Sequence, residues 1–493
     1  MSPERENAGK AGVEAIEMPM AAAAPERAAG IRTPDRPEAY PPLAKVPATI
    51  PGTSGIVAGI KAGMAYKRKG LQYFVEQMGR YGKIFRHQLG PYPVVVVGDH
   101  EVIVQVLKNE GRCWSTALAV ERVTRGLSLN IPAAKRSRLM SLDFEAHRQT
   151  RNLVQPAFSS RALSNYLTII EQELDRSLSS WPRSGVRTFR TEARRIFSRL
   201  AARLFFGIED PGESARIETA TRDYWQAIPA IVKSRRLNRR WRRGLEAVET
   251  LSSIMYGLIP KRRVEGGDDL FSQLCRPEGN RQKLDDDQLV DLMFGMVFAA
   301  FDTTTMGLTS MVYLLAKHPD WQETLRAEAM QVPEHPTLAD LNGMEQTERV
   351  WKETLRMYPV SAISPRVSLR ECRVGPYMIP SRTLVFACTG LVGLDPALWA
   401  HPERFDPARF ASERAEQQRH DFLPFGLGAH SCIGSLLATL EIKLFWHLFL
   451  TRYRFRLAED YQATHELTPL GCVSGGVNLR IERLLDVRNP HLT

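Results

Sequence analysis

Two hydrophobic periods alternate along this chain. Near the start, residues 83–88 and 94–97 carry strand-like apolar runs on either side of Gly90-Pro91, which predicts a β-hairpin. Beyond them the pattern changes to helical spacing. Residues 163–181, 286–317 and 436–449 place apolar side chains three and four positions apart, predicting three long buried helices. Short strand-like pieces return between Arg366 and Leu391, broken by Gly375-Pro376 and Pro380-Ser381. The pattern predicts a mainly α fold with a small β-rich part.

Residues 1–50 are rich in Ala, Pro and Glu, with few large apolar side chains to offset the entropy of ordering. They are expected to form a disordered N-terminal tail, and residues 51–493 a single domain. The early stretch 55–66 is too short to span a bilayer and carries Lys61. Glu4, Glu6, Glu14 and Glu17 suit neither a signal nor a transit peptide. The expected location is cytoplasmic, with no transmembrane anchor.

Hydrophobic residues at 43% and charged residues at 25% exclude collagen, coiled coil and wholesale disorder. Lys plus Arg is 66 against 55 Asp plus Glu, a formal charge of +11 that suits an acidic protein or an anionic membrane. No recognition motif accompanies the charge, so nucleic acid is not an expected partner. The six cysteines, Cys113, Cys275, Cys372, Cys388, Cys432 and Cys472, form no C-x-x-C pair. They read as reduced, mostly buried thiols.

The segment FLPFGLGAHSCIG, residues 422–434, sets Cys432 in a glycine-rich loop just before a helix. Glycines allow tight turns and the close approach of a flat cofactor. Amide groups and a helix N-terminus near sulfur favour thiolate. A buried structural cysteine is the plain alternative. In residues 286–317 the apolar pattern is broken once, at Ala299-Ala300-Phe301-Asp302-Thr303-Thr304. Threonine hydroxyls bonding back to the preceding turn open a helix, and an acid beside a hydroxyl makes a proton relay. A water-facing pair on an amphipathic helix is the alternative. Glu353-x-x-Arg356 places opposite charges on one helix face, and His147 and Arg151 likewise share a face. Both fit ordinary surface pairs as well.

Phe425-x-x-Gly428-x-His430-x-Cys432-x-Gly434 resembles the haem-binding signature of the cytochrome P450 family, and other landmarks follow in the family's order from about residue 50 onward. The resemblance implies the P450 fold and haem b held by Cys432 as axial ligand. Phe425 would pack beside the sulfur, with Gly434 completing the loop and His430 approaching a haem propionate. It implies further propionate contacts from His147, Arg151 and Arg366. It assigns proton gating to Asp302 and oxygen handling to Thr303, with Ala300 standing where the family usually has glycine. Glu353, Arg356 and Arg409 would form the family's structural network, with Arg404 as an alternative third member.

The implied activity is that of a monooxygenase placing one oxygen atom of dioxygen into a lipophilic substrate of sterol, terpenoid or fatty-acid-like character. The alternative is a peroxide-driven haem-thiolate enzyme: a peroxygenase, dehydratase or isomerase. Phe298, Ala299, Ala362 and Ile363 are the pocket candidates, although ordinary core packing explains each as well. Electrons are expected from a ferredoxin or flavodoxin with its reductase. The basic run KSRRLNRRWRR, from Lys233 to Arg243, is expected near the lid of the pocket. There, with Trp241 among the charges, it offers a peripheral membrane contact.

Overall fold

A computed structural model describes residues 43–484, apart from 90–91, 125–126, 128, 130, 231, 277–282, 412–420, 461 and 467–469. The hairpin forms as expected: Ile84–Leu89 pairs antiparallel with Tyr92–Val97, and the turn at Gly90-Pro91 lies outside the described residues. Val94, Val95, Val96 and Val97 are all fully buried, as a β-branched run covered on both faces must be. Tyr92–Val97 then pairs parallel with Leu384–Ala387, and this strand pairs antiparallel with Ser364–Ser368. Trp114–Ser115 forms the short edge beyond it. This five-stranded sheet carries Arg366 inward.

The helices follow the predicted periods closely. Ser160–Ser179 starts at a Ser159 cap, and Ser435–Leu450 is apolar around most of its circumference. The predicted helix over 286–317 is two helices, Asp286–Ala300 and Thr303–Lys317, separated at Phe301 and Asp302. These core helices are apolar and long enough to cross a membrane, as is the stretch Gly428–Leu450, but most of their length is packed inside the protein.

Three findings depart from the sequence reading. The segment assigned to the tail packs from residue 43: Ile50 is fully buried, Val46 packs beside the same core, and the Ala44 amide donates to the Arg382 carbonyl. The few large apolar residues near its end are what anchor it. The predicted tail otherwise lies outside the described residues. Second, Ser184–Thr188, Asn478–Arg483 and Tyr453–Leu457 form a three-stranded sheet that no local pattern announced. Third, Trp241 does not stand at the surface among the basic residues. It lies in the first turn of Arg239–Glu265, is 4% exposed, and packs inward with the Lys233 ammonium 5.1 Å from its ring centroid. Leu237, 82% exposed, is the apolar tip of that run instead.

Candidate active site

The Cys432 loop is shaped by two left-handed glycines, Gly426 (φ 71°) and Gly428 (φ 73°). A Cβ on Gly428 would lie 2.5 Å from the Leu107 carbonyl oxygen, so only glycine fits against helix His100–Lys108. The Cys432 amide donates to the Phe425 carbonyl at 2.8 Å, which closes the loop, while the Phe425 ring is half-buried against the core. The cysteine is enclosed by protein on most sides, yet its surface is open, as for a residue lining a cleft. Burial pushes its thiol up, and the Gly434 amide and the Arg151 charge act in the opposite direction. A metal bound at the sulfur would displace the proton outright.

Beside this loop lies a cluster of imidazole and guanidinium groups. His147 is buried, with its ring 4.0 Å from that of His430. Burial and the neighbouring His430 and Arg151 lower the His147 pKa to about 4. Arg151 donates to the carbonyls of Ala429 and Ser431. Arg366 is buried with a hydrogen bond to the Pro365 carbonyl, and burial lowers its pKa to about 10.

Asp143, which the sequence reading did not single out, is the carboxylate of this cluster. It accepts from the Ser115 hydroxyl and the Thr116 amide, and its Oδ1 lies 3.7 Å from His430 Nε2. Burial opposes its ionisation, but these bonds hold it below the usual carboxylate range. It stands just before helix Phe144–Val154, but its side chain makes no cap bond there and turns to Ser115 and Thr116 instead. His430 Nδ1 is buried without a hydrogen-bond partner among the described residues. A buried imidazole nitrogen and a buried guanidinium beside an open cysteine fit a group bearing sulfur-seeking iron and two carboxylates, which describes haem.

The helix break supplies a second set of groups. The Thr303 hydroxyl donates to the Ala299 carbonyl at 2.6 Å, competing for the acceptor of the regular ladder. Ala300 is the last residue of the first half-helix. Asp302 is buried and accepts from Arg194 Nε at 2.9 Å, so a basic residue of helix Phe189–Phe206 holds the acid. Next to it, Thr304 donates to Glu441 at 3.0 Å, tying the break to the helix that starts beside Cys432. The reading of the sequence missed both Arg194 and Glu441. A lone acid within the apolar run LLATLEIKLFW was the available signal for Glu441.

Burial pushes the Glu441 carboxyl from 4.5 up to about 8, against the Thr304 hydrogen bond. The folded chain thus holds this proton more tightly than the unfolded chain does. The stability it confers is complete below about pH 4.5 and is lost as pH rises through about 8. Glu441→Gln is expected to flatten that slope and to gain on the order of 4 kcal/mol over wild type at pH 8.5. Urea unfolding of the haem-loaded protein between pH 5 and 8.5 measures this. Equal slopes in the two proteins would mean that the buried carboxyl does not govern the range.

The pocket candidates separate. Ala299 is exposed and Ile363 is half-buried. Phe298 is 8% exposed and stacks on Tyr224 of helix Pro211–Ala227 with centroids 3.8 Å apart, so it joins that helix to the core helix. Ala362 is buried against Gly390, whose amide bonds its carbonyl, and belongs to the core under the sheet.

The structural network is fully assembled. Arg356 donates to Glu353 through Nε at 2.7 Å and Nη2 at 2.9 Å, and both side chains are completely buried. Arg409 Nε stands 3.5 Å from Glu353 Oε1, while its Nη1 and Nη2 donate to the carbonyls of Ala400 and His401. Arg404 supplies only its backbone carbonyl, to Arg356. A small cleft separates Arg356 from Phe422, Leu423 and Pro424, the start of the Cys432 loop.

The comparisons agree with this geometry. The sequence profile of the cytochrome P450 family matches residues 51–479. Cytochrome P450 136 of Mycobacterium tuberculosis is 33% identical over 336 residues, covering 66% of this chain and 68% of that protein. Cyclooctat-9-en-7-ol 5-monooxygenase of Streptomyces melanosporofaciens is 29% identical, covering 87% and 94%. The retinoic acid-bound cyanobacterial CYP120A1 superposes with a TM-score of 0.79 over 90% of this chain and 100% of that one. At 22% identity this speaks to the fold alone. With its thiol loop, imidazole and guanidinium cluster and core-helix break in the family's order, and a profile match over most of its length, this chain belongs to the cytochrome P450 family.

Proposed function

We propose that the protein is a monooxygenase that holds haem b through Cys432 and oxidises a lipophilic substrate with dioxygen. The observation that carries the reading is the buried Asp302 beside the half-exposed Thr303 at the core-helix break, in a chain that also presents Cys432 just before a helix. Haem ligated by a thiolate supplies the redox chemistry of dioxygen activation.

The chain's own groups do the rest. The Gly434 amide and the Arg151 charge steady negative charge on sulfur. His147, Arg151, Arg366 and His430 would hold the carboxylates of the bound haem. Asp302 takes a proton from the solvent side, releases Arg194, and passes the proton to the Thr303 hydroxyl. That hydroxyl leaves the Ala299 carbonyl to deliver it. Ala299 and Ile363 face the substrate, and the Phe298–Tyr224 stack braces the lid above. The names of two relatives, cyclooctat-9-en-7-ol 5-monooxygenase and abscisic acid 8'-hydroxylase, support oxidation of a small organic molecule, which we take to be lipophilic and of sterol, terpenoid or fatty-acid-like character.

Electrons come from a ferredoxin or flavodoxin with its reductase, and the +11 charge of the chain suits an acidic donor. Peripheral contact with an anionic membrane runs through residues 233–243, where Leu237 projects among exposed arginines. Charge removal across this run is the test of that contact, read as loss of binding to anionic vesicles.

Asp302→Asn separates the dioxygen reading from the peroxide-driven alternative. It is expected to slow turnover with dioxygen and a ferredoxin chain by about 10²-fold. Turnover supplied with hydrogen peroxide, which already carries the protons, should stay within about twofold. A wild-type enzyme that turns over only with peroxide, or a variant that loses both activities equally, overturns the proposal.

A further inference from the structure

Outside the haem cleft, two thiols meet at the edge of the five-stranded sheet. Cys113 ends a tight loop in which Asn109 (φ 53°) and Arg112 (φ 49°) both take left-handed backbone. The Asn109 side chain clamps that loop shut by donating to the Trp114 carbonyl and accepting from the Trp114 amide. Cys113 is therefore presented in a fixed direction. It faces Cys372, the first residue of the hairpin strand Cys372–Val374, which is buried. The Cys372 sulfur lies 3.8 Å from the Cys113 carbonyl oxygen and donates to the Arg370 carbonyl at 3.2 Å, and the two thiols stand near enough to interact electrostatically. The Leu369 amide donates to that same carbonyl at 2.8 Å, which locks the two backbones together.

The two sulfurs differ in surroundings. Cys113 is half-exposed and donates to the Gly111 carbonyl at 3.5 Å, and the Arg370 guanidinium donates to the same carbonyl at 2.6 Å, which sets the cation beside the sulfur. A cation thus stands where negative charge develops when this sulfur attacks an oxidant. Cys372 is sequestered, and burial together with the neighbouring Cys113 thiol pushes it up to about 12. One accessible sulfur with a cation, backed by one sheltered sulfur in contact, is the arrangement of an attacking and a resolving thiol.

We propose that Cys113 and Cys372 are a redox modification site that closes to a reversible disulfide when a peroxide reaches Cys113. The Cys113 thiolate attacks hydrogen peroxide, the O–O bond breaks, and the departing hydroxide takes a proton to leave as water. The resulting sulfenic acid is attacked by the Cys372 sulfur. The S–S bond forms, the S–O bond breaks, and a second water leaves with the Cys372 proton. Two thiols lose two electrons and one peroxide becomes two waters. The bond ties Trp114–Ser115, whose Ser115 hydroxyl is held by Asp143, to the neighbouring hairpin.

The test uses the haem-loaded protein, oxidised with one equivalent of hydrogen peroxide or, to spare the haem, with diamide, then alkylated and digested. The expected product is a peptide pair joining Cys113 to Cys372, two hydrogens lighter than the reduced pair and restored by dithiothreitol. Cys372→Ser should leave Cys113 as a sulfenic acid that dimedone captures, whereas Cys113→Ser should leave Cys372 fully alkylatable. The proposal fails if both thiols stay alkylatable under excess diamide, if wild-type Cys113 goes to sulfinic acid unpaired, or if Cys372 is oxidised equally in the Cys113→Ser protein.

Discussion

Cys432→Ser is expected to give a folded protein that has lost its chemistry. Its reduced carbon monoxide adduct should lack the spectrum of sulfur ligation, and dioxygen-driven turnover should fall by about 10³-fold or more, ~4 kcal/mol of barrier. The size follows from the ligand. A hydroxyl keeps its proton near neutral pH and donates far less electron density than a thiolate, so the push that promotes O–O cleavage is gone. The folded state should survive because the Cys432 surface faces the cleft and is not packed into the core. The amide bond from Cys432 to the Phe425 carbonyl does not involve the side chain. A thermal midpoint for the haem-free variant within about 2 °C of wild type would confirm that ligation alone has changed. Retention of the sulfur spectrum would assign the iron to another thiol.

Glu353→Gln is expected to do the opposite, disabling the protein through its fold. Arg356 is completely buried and donates twice to Glu353, which also accepts the Asp406 amide. Neutralising Glu353 strands the guanidinium, and breaking such a pair costs about 3–5 kcal/mol. Arg356 also donates to the carbonyls of Gly393 and Arg404, so the change loosens the segment that leads to the Cys432 loop. Haem retention should fall together with the denaturation midpoint. Replacing Glu353 and Arg356 together by methionine should cost less than the single change, because no charge is left behind. A Glu353→Gln loss below about 1 kcal/mol would match an exposed ion pair and contradict the burial.

What the sequence disclosed depended on whether the information was local. The Val94–Val97 strand, the apolar core helices and the ligand loop announce themselves because each is a short pattern with one physical meaning. The sheet formed by Ser184–Thr188 and the C-terminal strands was hidden because its first strand alternates exposed and half-exposed positions. Its pairing with Asn478–Arg483 spans most of the chain. Arg194 was hidden for a related reason. Nothing in the run TEARRIFSR says which arginine turns inward, and the answer lies in Asp302 on another helix. Trp241 was legible but misread. Trp241, Gly244, Ala247, Val248 and Leu251 recur at helical spacing on the buried face of one helix, and the phase of that stripe outweighs the charges between them.

Asp143 joins three distant parts of the chain through a single carboxylate: the edge strand that leads into helix Thr116–Thr124, the start of the His147 helix, and His430 two residues before the sulfur. A guest molecule that lifts the Thr116–Thr124 segment must stretch bonds to the same oxygen atoms that face His430. Displacement at that helix would thereby be felt at the Cys432 loop through one shared carboxylate.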